Sequence, residues 1–186
     1  MGLQSFGFYV TIAWLPEILH DGGMSIAAAG WMLSLMQFSS LPANFIVPVL
    51  AAKRSSQRGL VILSTSIGLA GYIGLLFSGS SLFITLWIIC IGLAQGALIS
   101  LALTLFGLRT TNAVQAAALS GMAQSFGYLL ASVGPILFGY LHEITNNWTA
   151  PLIMVIIATI LVLLVGLGAG RNALVHVSDQ KLSSNL

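Results

Sequence analysis

The positive charges of this chain occur at only three places, and the spacing between those places admits few folds. Lys53, Arg54 and Arg58 lie between the second and third of six apolar runs, and Arg109 lies between the fourth and fifth. Arg171 and Lys181 follow the sixth. An even number of runs separates each group from the next. If every run crosses a bilayer, all the basic residues share one side, as cytoplasmic positive charge does in helical membrane proteins. The acids Glu17, Asp21 and Glu143 fall on the opposite side, and only Asp179 joins the basic one.

Composition supports the same reading. The chain is 58% hydrophobic and 5% charged, whereas a soluble domain is about 25% charged. Too little polar sequence remains to cover a soluble all-α protein, and the apolar runs reach the roughly 18 residues that a spanning helix needs. The net charge of +2 is accounted for by topology, so no nucleic-acid partner is expected. The lone Cys90 sits within an apolar run and offers neither a disulfide framework nor a thiolate metal cluster. The first run starts close to Met1 with no basic lead and no small-residue cleavage pattern, so it is not read as a signal peptide. A chain without a cytoplasmic lead reads as part of something larger.

Turn chemistry divides the chain into helices at about 3–20, 25–51, 60–78, 82–107, 115–141 and 149–169, followed by a polar cytoplasmic tail over 171–186. Pro16 and the His20-Asp21-Gly22-Gly23 break are expected to end the first helix, and Ser25 to cap the second. Pro42 and Pro48 are expected to bend the second. A tight turn is expected at Ser78-Gly79-Ser80-Ser81, and residues 142–148 are expected to cross to the sixth helix. Trp14, Trp31 and Trp148 lie near interfaces, where an indole is comfortable.

The six helices differ in polarity. Gln37, Ser40 and Asn44 share one face of the second helix, and Ser120, Gln124 and Tyr128 share one face of the fifth. Gln4 and Thr11 lie on one side of the first, with Ser5 and Tyr9 beside them, while Gln95 stands alone on the fourth. The third and sixth helices carry few such groups and read as peripheral. Amides at membrane depth are costly unless they face protein or water. The two readings are interhelical bonding and the wall of a solute pathway. Small-residue ridges at Gly92, Gly96, Ser100 and Thr104, and at Ala117, Gly121 and Ser125, read as close-packing faces. Gly134-Pro135 with Gly139 reads as a kink or weak point in the fifth helix. No Asp, Glu, Lys, Arg or His sits in the middle of a span. A carboxylate relay, a catalytic site, a metal site and a bound cofactor are therefore not expected.

The opening segment Met1 to Tyr9, followed by Trp14-Leu15-Pro16, resembles the seventh transmembrane helix of major facilitator superfamily porters of the cyanate and nitroimidazole (CynX/NimT-like) branch. Ser120-Gly-Met-Ala-Gln-Ser-Phe-Gly-Tyr128 and Gly134-Pro135-x-x-x-Gly139 are similar to that branch's eleventh helix. The resemblance extends to about residue 170. It implies an all-α membrane protein whose six transmembrane helices form one bundle, the C-terminal one, of the major facilitator fold. The superfamily's cytoplasmic signature, Gly-x-x-x-Asp-Arg-x-Gly-Arg-Arg, survives only in Arg54 and Arg58. Val49, Lys53, Ser56 and Gln57 replace its other members.

The function expected is that of the C-terminal half of a secondary transporter, moving a small polar or anionic solute of the cyanate-like kind across the bacterial inner membrane by alternating access. Gln124, Tyr128, Gln37, Asn44, Tyr9 and Gln4 are the expected polar lining. The expected partners are the lipid bilayer, an N-terminal six-helix bundle and the solute, with both termini of this chain cytoplasmic. Two rivals remain open at this point: a six-span channel or half-size carrier acting as a homodimer, and a non-transporting scaffold subunit.

Overall fold

The computed structural model describes residues 1–77 and 81–174. Six helices follow in order: α1 (Gly2–Asp21), α2 (Ile26–Ala52), α3 (Arg58–Phe77), α4 (Ser81–Leu108), α5 (Ala113–Thr145) and α6 (Thr149–Ala169). By length and composition, α2 to α6 are apolar enough to cross a membrane. Gln4, Ser5, Thr11, Glu17 and His20 make α1 more polar, and it packs along α5, α2 and α6. The architecture is an all-α membrane bundle.

The ends follow from local chemistry. Pro16 does not end α1, which runs through it to Asp21. The stop comes at Gly22-Gly23, where Gly23 takes φ +94, a conformation that costs glycine little. Ser25 caps α2 by accepting from Ala28 N at 3.2 Å, and Asn112 caps α5 by accepting from Gln115 N at 2.9 Å. α5 runs past Leu141 to Thr145, so the expected crossing loop shrinks to residues 146–148. No breaker precedes Asn146, which takes the left-handed conformation (φ 51) and donates its N–H to the His142 carbonyl. Of the turn expected at Ser78-Gly79-Ser80-Ser81, residues 78–80 lie outside the described residues, as do Asp179 and Lys181, and Ser81 opens α4.

In lipid, burying an apolar side chain gains little over leaving it against acyl chains, so close packing and interhelical hydrogen bonds must hold the bundle. Both are present. On α4, a Cβ added at Gly92 or Gly96 would collide with the backbone carbonyls of Met36 and Ser40 on α2. This part of the small-residue ridge is where α2 and α4 touch backbone to backbone. α5 meets α1 through other glycines. A Cβ on Gly134 would lie 2.8 Å from Val10 Cγ2, and one on Gly139 would lie 2.5 Å from Trp14 Cζ2. These glycines are notches that seat α1 side chains. Gly121, from the expected α5 ridge, has nothing within 4 Å.

Two basic loops meet the C-terminus of α6 at one end of the bundle. Arg58 Nε donates to Leu167 O at 3.1 Å, and Arg109 Nε donates to Ala169 O at 3.2 Å. Two guanidinium groups thus complete the carbonyls at the negative end of α6. Gln57 ties the set together: Arg109 Nη2 donates to its Oε1, and its Nε2 donates to Ala51 O and Arg54 O. Arg58, Arg109 and the C-terminus of α6 therefore share one end of the bundle. At the other end, Trp148 Nε1 donates to Asp21 Oδ2 at 2.9 Å, and the His142 ring stacks on Trp148 with centroids 3.6 Å apart.

Candidate functional site

Polar groups at membrane depth divide into two sets. The first is a buried network across three helices. Gln4 Nε2 on α1 donates to Gln95 Oε1 on α4 at 3.3 Å, and Gln95 Nε2 donates to the Tyr72 hydroxyl on α3 at 2.9 Å. Thr11 Oγ1 donates to Gly7 O at 2.7 Å, which spends its proton. The 2.7 Å contact between Tyr72 and Thr11 is therefore a donation from the phenol. Gln4 and Gln95 are each 6% exposed and Tyr72 is 4% exposed. Beside them a void of 20 Å³ is bordered by Gln4, Tyr72, Gln95 and Thr159, about the room one water needs.

This network changes two expectations. Gln95 does not stand alone, because its partners come from sequence positions 91 and 23 residues away. Nor is α3 merely peripheral: Tyr72 lies at the centre of the chain of bonds. Ser64, Thr65, Gly68, Gly71 and Tyr72 share the buried face of α3 at helical spacing, a signal that marks the face but not the partners Tyr72 meets there. The reading of α6 holds better, since among the described residues Thr159 bonds only to Val155 O of its own helix. Ile153, Ile157, Ile160, Leu161, Leu164 and Val165 of that helix are exposed.

The second set stays open. Tyr9 on α1 and Tyr128 on α5, each 43% exposed, meet edge to face with centroids 6.3 Å apart. One turn away, Gln124 Nε2 donates to Ser120 Oγ at 2.7 Å within α5. On α2, Gln37 is exposed and Asn44 half-buried. Among the described residues no hydrogen bond or ring contact links either side chain to the α1–α5 group. The six expected lining residues therefore fall into three places: Gln4 in the network, the Tyr9, Tyr128 and Gln124 group, and the α2 pair.

A separate cavity of 670 Å³ lies between α1, α4, α5 and α6, with Val61 of α3 in its lining, and it takes in Arg109 and Arg171 of the basic end. Of the six residues only Gln4 lines it. Burial at that end lowers the pKa of Arg109, because desolvation disfavours its charged form. An arginine remains protonated even so.

The description Major Facilitator Superfamily matches residues 1–176. The chain belongs to the major facilitator superfamily. It is 55% identical over 184 residues to the uncharacterized transporter YycB of Bacillus subtilis, covering 99% of this chain and 46% of that protein. It is 40% identical over 172 residues to the 2-nitroimidazole transporter of Escherichia coli, covering 92% of this chain and 43% of that one. A third relative is the cyanate transport protein CynX of Escherichia coli, 28% identical over 147 residues, covering 79% and 38%. No solved structure matches the chain. The chain thus spans less than half the length of these superfamily relatives. The branch resemblance carried by its first and fifth helices agrees with them, and the chain is a multi-pass membrane protein.

Proposed function

We propose that this chain supplies the C-terminal six-helix half of a major facilitator transporter for a small polar or anionic solute. One observation carries the reading. The amide of Gln37 is exposed at membrane depth and Asn44 is half-buried, and neither has a side-chain hydrogen bond among the described residues. Gln124 is satisfied only by a neighbour on its own helix. Amides turned to hydrocarbon are costly, so these faces call for water, solute or a second bundle. Tyr9 and Tyr128 extend the same logic, since each offers a phenol on an open surface.

In this reading Gln37, Asn44, Gln124, Tyr9 and Tyr128 line one wall of a central pathway, with Gln4 bonded behind it. Amides and phenols can donate to an anion or a neutral acceptor without gaining or losing a proton. An N-terminal bundle supplies the other wall, and the two halves rock about the solute in the inner membrane. The basic end faces the cytoplasm, following the positive-inside rule. The relatives' names make cyanate and 2-nitroimidazole the first solutes to try.

The test is uptake by the intact transporter. Gln124→Ala is expected to reduce uptake with membrane abundance unchanged, and full uptake at normal abundance would remove Gln124 from the wall. Reconstitution of the chain by itself addresses the half-transporter assignment. No flux alone, with flux restored by a co-expressed N-terminal bundle, is the expected result. Flux from the chain alone would favour a homodimeric carrier.

A further inference from the structure

The 670 Å³ cavity at the basic end falls within the range of about 300–1,000 Å³ typical of small-molecule pockets, yet its chemistry suits no small polar solute. Its walls include Leu101, Leu105, Phe106, Leu119, Phe126 and Val165, and among the described residues its only polar side chains are Gln4, Arg109 and Arg171. A polar solute lodged there would lose its hydration against apolar surface with little in return.

The polarity is also graded. Along α4 the lining runs Leu98, Leu101, Ala102, Leu105, Arg109. At 1.5 Å per residue the step from Leu98 to Arg109 is about 16 Å, close to the roughly 15 Å depth of one leaflet's hydrocarbon. α6 repeats the pattern, from Val162 through Val165 and Ala169 to Arg171. The apolar part therefore lies at hydrocarbon depth and both cations at the headgroup level.

Both cations have capacity to spare. Arg109 commits Nε to Ala169 O and Nη2 to Gln57, which leaves Nη1 without a hydrogen bond among the described residues. The exposed Arg171 side chain has none either. Among the described residues no acid lines the cavity to balance them. Basic pockets between transmembrane helices take anionic lipid headgroups.

We propose that this cavity binds an anionic phospholipid of the leaflet on the basic side, with an acyl chain against the α4–α5–α6 walls. Its phosphate sits between Arg171 and the free edge of Arg109. The inference is independent of the solute pathway and uses only the position of the basic end.

The test is retention of lipid by the full chain purified from nanodiscs of dioleoyl phosphatidylglycerol or dioleoyl phosphatidylcholine, read by native mass spectrometry. The wild-type chain is expected to keep one phosphatidylglycerol at least about tenfold in preference to phosphatidylcholine, from two cations acting at a headgroup. Arg171→Gln is expected to cut that preference about fivefold. Leu105→Trp, which fills the cavity, is expected to abolish retention of either lipid. Equal retention of the two lipids by the wild-type chain would overturn the proposal without recourse to any variant. So would unchanged preference in both variants, stronger retention of free oleate than of phosphatidylglycerol, or loss of the lipid when an N-terminal bundle is co-expressed.

Discussion

Removing one oxygen atom, in Tyr72→Phe, tests whether the buried network holds the bundle. The phenol accepts from Gln95 Nε2 at 2.9 Å and donates to Thr11 Oγ1 at 2.7 Å. Thr11 keeps its own bond to Gly7 O, so its loss is small. Gln95 keeps an N–H with no acceptor at a site where it is 6% exposed. Interhelical bonds in membranes average about 0.6 kcal/mol with a maximum of about 1.7, and an orphaned buried donor costs about 1–3 kcal/mol. The expected loss is about 2 kcal/mol. It would be read from reversible unfolding in mixed micelles titrated with a denaturing detergent. Gln95→Leu and the double variant complete a cycle, with an expected coupling of about 0.6–1.7 kcal/mol. A single-variant loss below about 0.5 kcal/mol together with additive effects would mean that the phenol and the amide do not bond.

Two further perturbations separate close packing from open surface. Gly96→Ala is expected to lower unfolding stability by about 1–3 kcal/mol, because its Cβ meets the Ser40 backbone carbonyl, which cannot turn aside. Gly121→Ala, with nothing within 4 Å, is expected to leave the chain as stable or up to about 1 kcal/mol more so; equal losses in the same unfolding assay would refute the assigned helix contacts. Arg109→Leu leaves Gln57 Oε1 and Ala169 O without their donor. It is expected to cost about 1–3 kcal/mol and to speed amide exchange around residues 167–170, and unchanged exchange there would deny Arg109 its role at the end of α6.

Much of the architecture was legible because bilayers enforce simple rules. Apolar length specifies a crossing, and charge is retained at the ends. The gathering of Arg58 and Arg109 at the C-terminus of α6 follows directly from counting crossings. The Ser25 cap and the glycine stop after Asp21 were readable for the same kind of reason, since each depends on neighbours within four residues. Pro16 misled because proline removes a donor without forbidding helix on its far side. The overlong α5 was missed because nothing in 142–145 marks an end, and only the left-handed Asn146 does.

The network was far less legible. Gln4, Gln37, Gln95 and Gln124 look alike in sequence: an amide in an apolar run. A pairing across 91 residues has no local signature. Polarity read helix by helix puts α3, and Tyr72 with it, at the periphery, whereas the bonds that satisfy the phenol depend on where α1 and α4 lie beside α3. The worn cytoplasmic signature is similar. Gln57 reads as a lost arginine, but in the fold its amide holds the guanidinium of Arg109.

The sequence by itself determined the number of helices, which residues share an end, and which helix faces carry amides, because all three follow from short-range periodicity and the energetics of lipid. Only the tertiary structure decided which of those amides are spent inside the bundle and which remain open. An amide's bonding depends on what lies within about 3 Å of it, and in a bundle that neighbour belongs to a different helix.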